Sequence, residues 1–205
     1  MSDVLSGVCL SFLDIDLLDI YKKEKIDFYK KALPILSVII PLLTAIIEFY
    51  FRAMVAEGDL EPFISIVNAI ATISILVITG LHKKFPVLHA FICPCLTLLL
   101  FMYLSFVDYD YTLGSIYYSM IFGFTLAYFV LVVFNERWLI STIAFAPGLT
   151  FYMYKTGVDL LGTEWEELIM RSMFCTLMYA VVAYKVESLA KQSFMGRESS
   201  EKAFH

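Results

Sequence analysis

Cys93-Pro94-Cys95 is the segment whose residue types come closest to a known chemistry. Two thiols around a helix-breaking proline suit a soft metal such as Cu(I), and His89 precedes Cys93 by four residues, about one helical turn. Cys175 would complete a ligand set only if the fold brought it close. However, the chain has no second thiol motif, and a free cysteine is often simply a small buried hydrophobe. We therefore predict no metal site, and keep His89, Cys93 and Cys95 as the metal-ligand candidates.

Three charged residues within apolar stretches are candidates for an intramembrane charge pair. Glu48 precedes Arg52 by four residues, which is the favourable order for an ion pair along a helix. A charge at the centre of a bilayer costs about 3 kcal/mol or more, so each one needs a partner or must reach the membrane surface. Arg171 can extend towards Glu166 and Glu167, or it can pair with Glu48 as a buried switch. The sequence leaves both arrangements open.

Motifs for catalysis are missing from the sequence. It contains no phosphate-binding loop, catalytic triad, paired-carboxylate site or zinc motif. His82 and His89 are too few and too close in sequence for a haem pair. We therefore predict no catalytic residue and no cofactor, and expect that the chain is not an enzyme.

Six long apolar stretches make up most of the chain. A hydrocarbon core about 30 Å thick needs about 20 helical residues, and a continuous helix satisfies its own backbone groups in lipid. The composition agrees, with 60% hydrophobic residues, 17% charged residues and a mean hydropathy of +0.78. We predict an all-α, multi-pass transmembrane bundle of six helices over residues 32–54, 62–80, 85–106, 115–134, 138–154 and 168–184.

Basic residues are divided unequally between the two ends of these stretches. Of 15 lysines and arginines, 12 precede the first stretch, follow the sixth, or join the second to the third and the fourth to the fifth. Only Arg52 and Lys155 lie at the opposite side, and Arg171 is within the last stretch. The positive-inside rule then predicts that both termini are cytoplasmic, in a plasma or organelle membrane. The net charge of −5 argues against nucleic acid as a partner.

The sequence divides into three parts. Residues 1–31 are expected to form a cytoplasmic amphipathic helix, either a guide for the first span or a regulatory contact, because apolar residues recur there every three to four positions. Residues 32–184 form the predicted six-helix transmembrane domain. Residues 185–205 are expected to continue the last helix into water as a cytoplasmic linker helix with a polar tail. The recurring apolar residues of the first part are Leu10, Leu13, Leu17, Ile20 and Tyr21.

Five segments resemble the amino-terminal membrane region of a ciliate family of multi-pass sensors. They are residues 7–16 (GVCLSFLDID), 89–95 (HAFICPC), 105–111 (SFVDYDY), 151–157 (FYMYKTG) and 184–205 (YKVESLAKQSFMGRESSEKAFH). In that family six spans precede a PAS domain and histidine-kinase-like domains. The resemblance implies a sensor in a phosphorelay, with the last segment as the connector into the PAS domain. No catalytic residue of the family carries over to this chain.

Three functions remain open. The first is a membrane-embedded sensory or anchoring module of a signal-transduction protein, and the second is a non-catalytic accessory subunit of a large membrane complex, for instance in an organelle. A small metal or ion transporter ranks third, because the sequence shows no internal repeat of the kind common in transporters. The expected partners are the lipid bilayer and either a second copy of the chain or a larger membrane complex.

Overall fold

The computed structural model describes residues 5–6, 11–12, 15–54, 61–107, 113–160, 162 and 164–204. Its side chains are described over residues 15–43, 45–46, 49, 65–106, 120–158, 162 and 164–200. The described chain is almost wholly helical, which confirms the predicted all-α class. Its α-helices are α1 (Ile15–Met54), α2 (Glu61–Lys84), α3 (Ile92–Val107), α4 (Leu113–Phe134), α5 (Trp138–Met153) and α6 (Trp165–Phe204).

Short elements complete the described chain. Two-residue strands, β1 (Leu5–Ser6) and β2 (Ser11–Phe12), pair in antiparallel register near the N-terminus. A 3₁₀ turn over Pro86–Phe91 leads into α3. Proline fits its first position because the N–H groups at the start of a helix have no carbonyl acceptor within that helix, so the N–H that proline lacks is not missed. A π-helical turn over Tyr154–Leu160 follows α5.

Helix α1 is a single helix of 40 residues. The sequence indicated an amphipathic helix up to residue 31 and a separate first span, but the structure has no break between them. Pro34 and Pro41 lie inside the helix, and the Ser37 hydroxyl donates a hydrogen bond of 2.7 Å to the Pro34 carbonyl. Tyr21 is buried, whereas Ile20 is 44% exposed, so only part of the expected apolar stripe is used. Leu10 and Leu13 lie outside the described residues.

The centre of the bundle is formed by α3, α5 and α6. The ring of Phe145 stacks face to face on Tyr179, with centroids 3.8 Å apart, and meets the edge of Phe101 at 5.4 Å. All three side chains are at most 1% exposed. Gly148 allows α5 to approach α3, because a Cβ there would lie 3.2 Å from Leu98 Cδ2. Large aromatic rings and one glycine therefore set the spacing of these helices.

Three described helical segments are long and apolar enough to cross a membrane: Ser65–Lys84, Pro86–Phe106 and Trp165–Ser200. A shorter apolar segment covers Met120–Phe134. The outer surface also carries large apolar side chains, among them Ile73, Phe129 and Met173, which are 57–66% exposed. Extended apolar surface of this kind is unusual on a protein in water. These features fit a membrane protein.

Candidate functional site at the polar end

A cluster of buried polar side chains lies at one end of the bundle, which we call the polar end. It is assembled from α1, the Pro86–Phe91 turn, the link between α4 and α5, and α6. All its members except Lys25 are at most 8% exposed, a degree of burial that charged side chains seldom reach unless they are paired. The members are Lys25, His89, Asn135, Glu136, Glu187 and Lys191.

The carboxylate of Glu136 lies between two basic groups. Its Oε1 is 3.3 Å from Lys25 Nζ, and its Oε2 is 3.8 Å from His89 Nε2. The Nδ1 of His89 is 3.2 Å from the Pro86 carbonyl oxygen. Because a carbonyl can only accept, Nδ1 donates this hydrogen bond. The other ring nitrogen of His89, Nε2, faces Glu136.

Burial changes the proton affinity of Glu136. Loss of contact with water raises the pKa of this carboxyl above its ordinary value, although the nearby charges of Lys25 and His89 act in the opposite direction. Glu136 therefore takes up a proton at a higher pH than a glutamate on the surface does. Its charge, and with it the ion pair to Lys25, is therefore lost at a higher pH than that of an exposed glutamate.

Glu187 fastens α6 to the start of α5. Its Oε2 accepts a 2.6 Å hydrogen bond from the Trp138 backbone N–H, and its Oε1 pairs with Lys191 one turn further along α6. The first N–H groups of a helix have no partner within that helix, and Arg137 at the cap position provides no side-chain hydrogen bond. A carboxylate from another helix thus takes the place of a local cap, where the helix dipole also favours negative charge.

Asn135 holds the same link to α6 through its amide. Its Nδ2 donates a 2.8 Å hydrogen bond to the Ala183 carbonyl, and its Oδ1 accepts one of 2.9 Å from the Ser141 hydroxyl. On the other side, the Tyr29 hydroxyl donates a 2.9 Å bond to the Phe134 carbonyl. Burial raises the pKa of Tyr29, so this hydroxyl keeps the proton that it donates.

The polar half of α6, which the sequence predicts to be a cytoplasmic linker helix, packs along its side against α1. Phe194 is 1% exposed and meets the Tyr21 ring edge to face, with centroids 5.2 Å apart. Nearby, Arg197 donates a 2.7 Å hydrogen bond to Glu24. The few apolar residues of this segment suffice because α1 supplies the matching apolar surface. The helix therefore leaves the bundle with a partner along its side.

The metal-ligand candidates are directed to different surroundings. Cys93 is buried, with its Sγ 4.0 Å from the Tyr179 hydroxyl, whereas Cys95 is exposed. Residues two apart on a helix do not face each other, and His89 is engaged in the polar end. Cys175 is half-buried. Within the part of the chain that the structure describes, no three His, Cys, Asp or Glu side chains are grouped to hold a metal ion.

Of the three charge-pair candidates, Arg171 is the one whose side chain the structure describes. Arg171 pairs with Glu167 one turn earlier on α6, and both side chains are more than half exposed. The side chains of Glu48 and Arg52 lie outside the described residues.

Sequence reasoning missed Asn135, Glu136, Glu187 and Lys191 as site residues. A usable signal was present, because Asn135-Glu136-Arg137 is a run of polar residues between two apolar stretches, and Glu187 and Lys191 are four apart. Both patterns are also typical of solvated links and helix faces. Only the packing of distant segments shows that they are buried together.

Comparison with known proteins yields no match: no protein-family profile fits the chain, and no curated protein or solved structure is significantly similar to it. The likeness to ciliate sensors stays a hypothesis.

Replacing Glu187 by alanine should lower the free energy of unfolding by about 3 kcal/mol, because it removes the acceptor of the Trp138 N–H and the negative partner of buried Lys191. Glu187→Gln keeps an acceptor and should lose less. The control Glu166→Ala removes an exposed acid from the same helix and should change stability by less than about 0.5 kcal/mol. Unfolding by SDS in mixed micelles, followed by tryptophan fluorescence, measures these losses. Equal losses of unfolding free energy in Glu187→Ala and Glu166→Ala would contradict the structural role assigned to Glu187.

Acidification should stabilise the folded protein through Glu136. Because its pKa is raised in the folded state, the folded protein binds the proton more tightly than the unfolded chain does. This stabilisation is complete below the unfolded pKa of about 4.3 and is lost as the pH rises through the raised folded pKa. The stability of the parent relative to Glu136→Gln should therefore increase as the pH falls from 7 to 5. If the difference in unfolding free energy between the parent and Glu136→Gln stays constant or decreases as the pH falls, the predicted stabilisation by protonation is wrong.

Proposed function

We propose that the chain is a membrane-embedded sensory or anchoring module of a signal-transduction protein. Its six helices cross the membrane, and α6 relays the packing of the bundle to the cytoplasmic side. The observation that carries this proposal is the construction of α6, a single helix of 40 residues that begins in the apolar bundle and is held at the polar end by Glu187. A continuous helix with one membrane half and one polar half is suited to transmit a rotation or a shift.

The charge distribution supports the proposed orientation. The start of α1 and the end of α6 meet at the polar end through Tyr21 and Phe194. Exposed basic residues, including Lys31, Lys84 and Arg137, lie in the segments at that end. Basic residues flanking membrane helices favour the cytoplasm, so we place the polar end there. The apolar helices α1, α4 and α5 pack in the same bundle as the three span-length segments and complete the proposed set of six.

The polar end supplies an element that can change state. Glu187 joins α6 to α5, while Glu136 joins the α4–α5 link to α1 and to His89. A small shift of α6 would alter the Glu187 contact with the Trp138 N–H and oblige the other buried charges to find new partners. Interfaces of this kind tend to have discrete alternative packings. The bundle can therefore pass a rearrangement to α6 in a stepwise manner.

An accessory subunit of a larger membrane complex is the second candidate. It is favoured by the outer face of α6, where Met170, Met173, Phe174 and Leu177 are 63–72% exposed. Another protein chain could cover this face as well as lipid can. Co-purification separates the candidates, since a stoichiometric complex with other chains favours a subunit and a homodimer favours the sensor. A transporter finds less support, because the buried ionisable cluster among the described residues lies at one end rather than across the bundle.

The proposed topology predicts a definite labelling pattern. Single cysteines introduced at Asp59, Asp110 and Glu164 should react with a membrane-impermeant maleimide in intact cells. A cysteine at Lys83 should react only after permeabilisation, because this position lies at the polar end. The parent chain with its native cysteines provides the background. Labelling of position 83 in intact cells would reverse the orientation.

The relay role predicts that a break in α6 abolishes output without unfolding the bundle. Leu189 is 63% exposed and lies beyond the apolar half of α6, so its replacement removes little packing. Leu189→Pro deletes a backbone donor and clashes with the preceding turn, at a cost of about 3 kcal/mol in a helix. A dimerisation-dependent reporter fused after α6 should then fall to background.

Leu189→Ala is the matched control, because it removes the same side chain and keeps the helix continuous; it should report as the parent does. Maleimide labelling of both variants verifies that the topology is unchanged. If the proline variant reports as strongly as the alanine variant, α6 is not the relay and the accessory-subunit function becomes the better account.

A further inference from the structure

A small apolar cluster joins the start of α1 to the polar half of α6. The ring of Tyr21 meets Phe194 edge to face, with centroids 5.2 Å apart, and Met195 belongs to the same cluster. These three side chains are 1–6% exposed. They form a cluster of their own, separate from the core around Phe145 and Tyr179. A change in this contact therefore does not require the core of the bundle to repack.

The contact between α1 and α6 is secondary for both helices. Helix α1 packs chiefly against α2, and α6 packs chiefly against α5. The ion pair beside the cluster joins Arg197 Nη2 to Glu24 Oε1 at 2.7 Å, but these side chains are 62% and 45% exposed. Exposed pairs add little stability, and regions with few buried apolar contacts open more readily than a core does. The contact is therefore of the kind that opens locally while the bundle stays folded.

Lys25 connects this contact to the polar end. Its Nζ lies over the ring of Tyr21, 5.6 Å from the centroid, and is 3.3 Å from Glu136 Oε1. An ammonium group over an aromatic ring is attracted by the negative face of that ring. Tyr21 in turn contacts Phe194 of α6. A chain of measured contacts thus runs from the α4–α5 link, through two residues of α1, to the helix proposed as the relay.

We propose that Tyr21, Glu24 and Lys25 form an autoinhibitory clamp on α6, called the α1 clamp, and that Glu136 controls it through Lys25. The proposal rests on the relay function of α6 given above and adds its regulation. Lys25 is a positioning residue in this account, because Glu136 fixes the place of its charge and Lys25 steadies the ring of Tyr21. The clamp joins the α1–α2 pair to the α5–α6 pair, so a shift of one pair against the other is felt there.

The buried face of α6 gives the direction of the effect. While the clamp is closed, Phe194 and Met195 are covered, at 1% and 6% exposure, and the polar half of α6 is held beside α1. When the clamp opens, these apolar side chains face water. Exposed apolar surface favours association with another chain. Opening should therefore raise a signal that depends on dimerisation of α6.

Distances between α1 and α6 test the clamp without any reporter. Spin labels are placed at the exposed positions Lys23 and Gln192 of the full chain in nanodiscs, with the native cysteines replaced by alanine, and pulsed EPR measures their separation. The parent should give one narrow distribution. Tyr21→Ala should raise the ratio of open to closed clamp about tenfold or more, seen as a second, longer distance. Phe194→Ala should do the same from the other helix, whereas Ile20→Ala, at a 44% exposed position, should resemble the parent.

Variants at Lys25 and Glu136 test the control of the clamp in the same measurement. Lys25→Met and Glu136→Gln should each increase the longer distance. The double variant should open the clamp no further than Lys25→Met alone, because both substitutions break one pair. Lys25→Arg keeps a positive charge and should restore the narrow distribution. Additive effects of the two substitutions, or a Lys25→Arg chain as open as Lys25→Met, would show that Glu136 does not act through Lys25.

The dimerisation-dependent reporter fused after α6 tests inhibition. Tyr21→Ala should give a stronger signal than the parent, and Ile20→Ala should give the parent's signal. The proposal is overturned if the distances in Tyr21→Ala match those in Ile20→Ala, or if the clamp opens and the signal does not rise. In either case a background signal from Leu189→Pro leaves the relay function standing. A Leu189→Pro signal equal to the parent's would instead disprove the relay, and the inhibitory role of the clamp with it.

Discussion

The buried carboxylate of Glu187 is the interaction on which the polar end depends. It satisfies the first backbone donor of α5 and the ammonium group of Lys191 together. Removal of charged groups from water is costly unless their partners are well placed. Glu187 can therefore reach both partners only when the start of α5, the course of α6 and the link before Trp138 have the right positions relative to one another. Glu136 extends the same requirement to α1 and to the His89 turn.

This arrangement restricts how α6 can move. Its polar half is held by Tyr21 and Glu24 of α1 in addition to the buried pairs, so it cannot swing freely beyond the bundle. A change in α6 therefore requires the polar end to repack as a unit. The raised pKa of Glu136 makes that unit responsive to protonation, because loss of the carboxylate charge weakens its hold on Lys25.

The two sides of the bundle differ in packing. Phe101, Phe145 and Tyr179 interlock at the centre of α3, α5 and α6, and interiors packed in this way resist small displacements. On the opposite side, α1 and α4 border an apolar crevice of about 230 Å³, where the packing is more open. Helices from both sides contribute side chains to the polar end, Lys25 from α1 and Glu187 from α6.

The sequence by itself determined the all-α class and the approximate positions of the helices, because apolar runs of about 20 residues are too long for barrel strands and a helix satisfies its own backbone hydrogen bonds. It could not show that Glu136 and Glu187 are buried, since both lie in segments that read as solvated. Lys25 and Glu136 are more than a hundred residues apart, and no local periodicity encodes such a pairing. Only the tertiary structure brings these charges together, because the partners that make their burial tolerable come from helices whose relative positions depend on packing across the whole bundle.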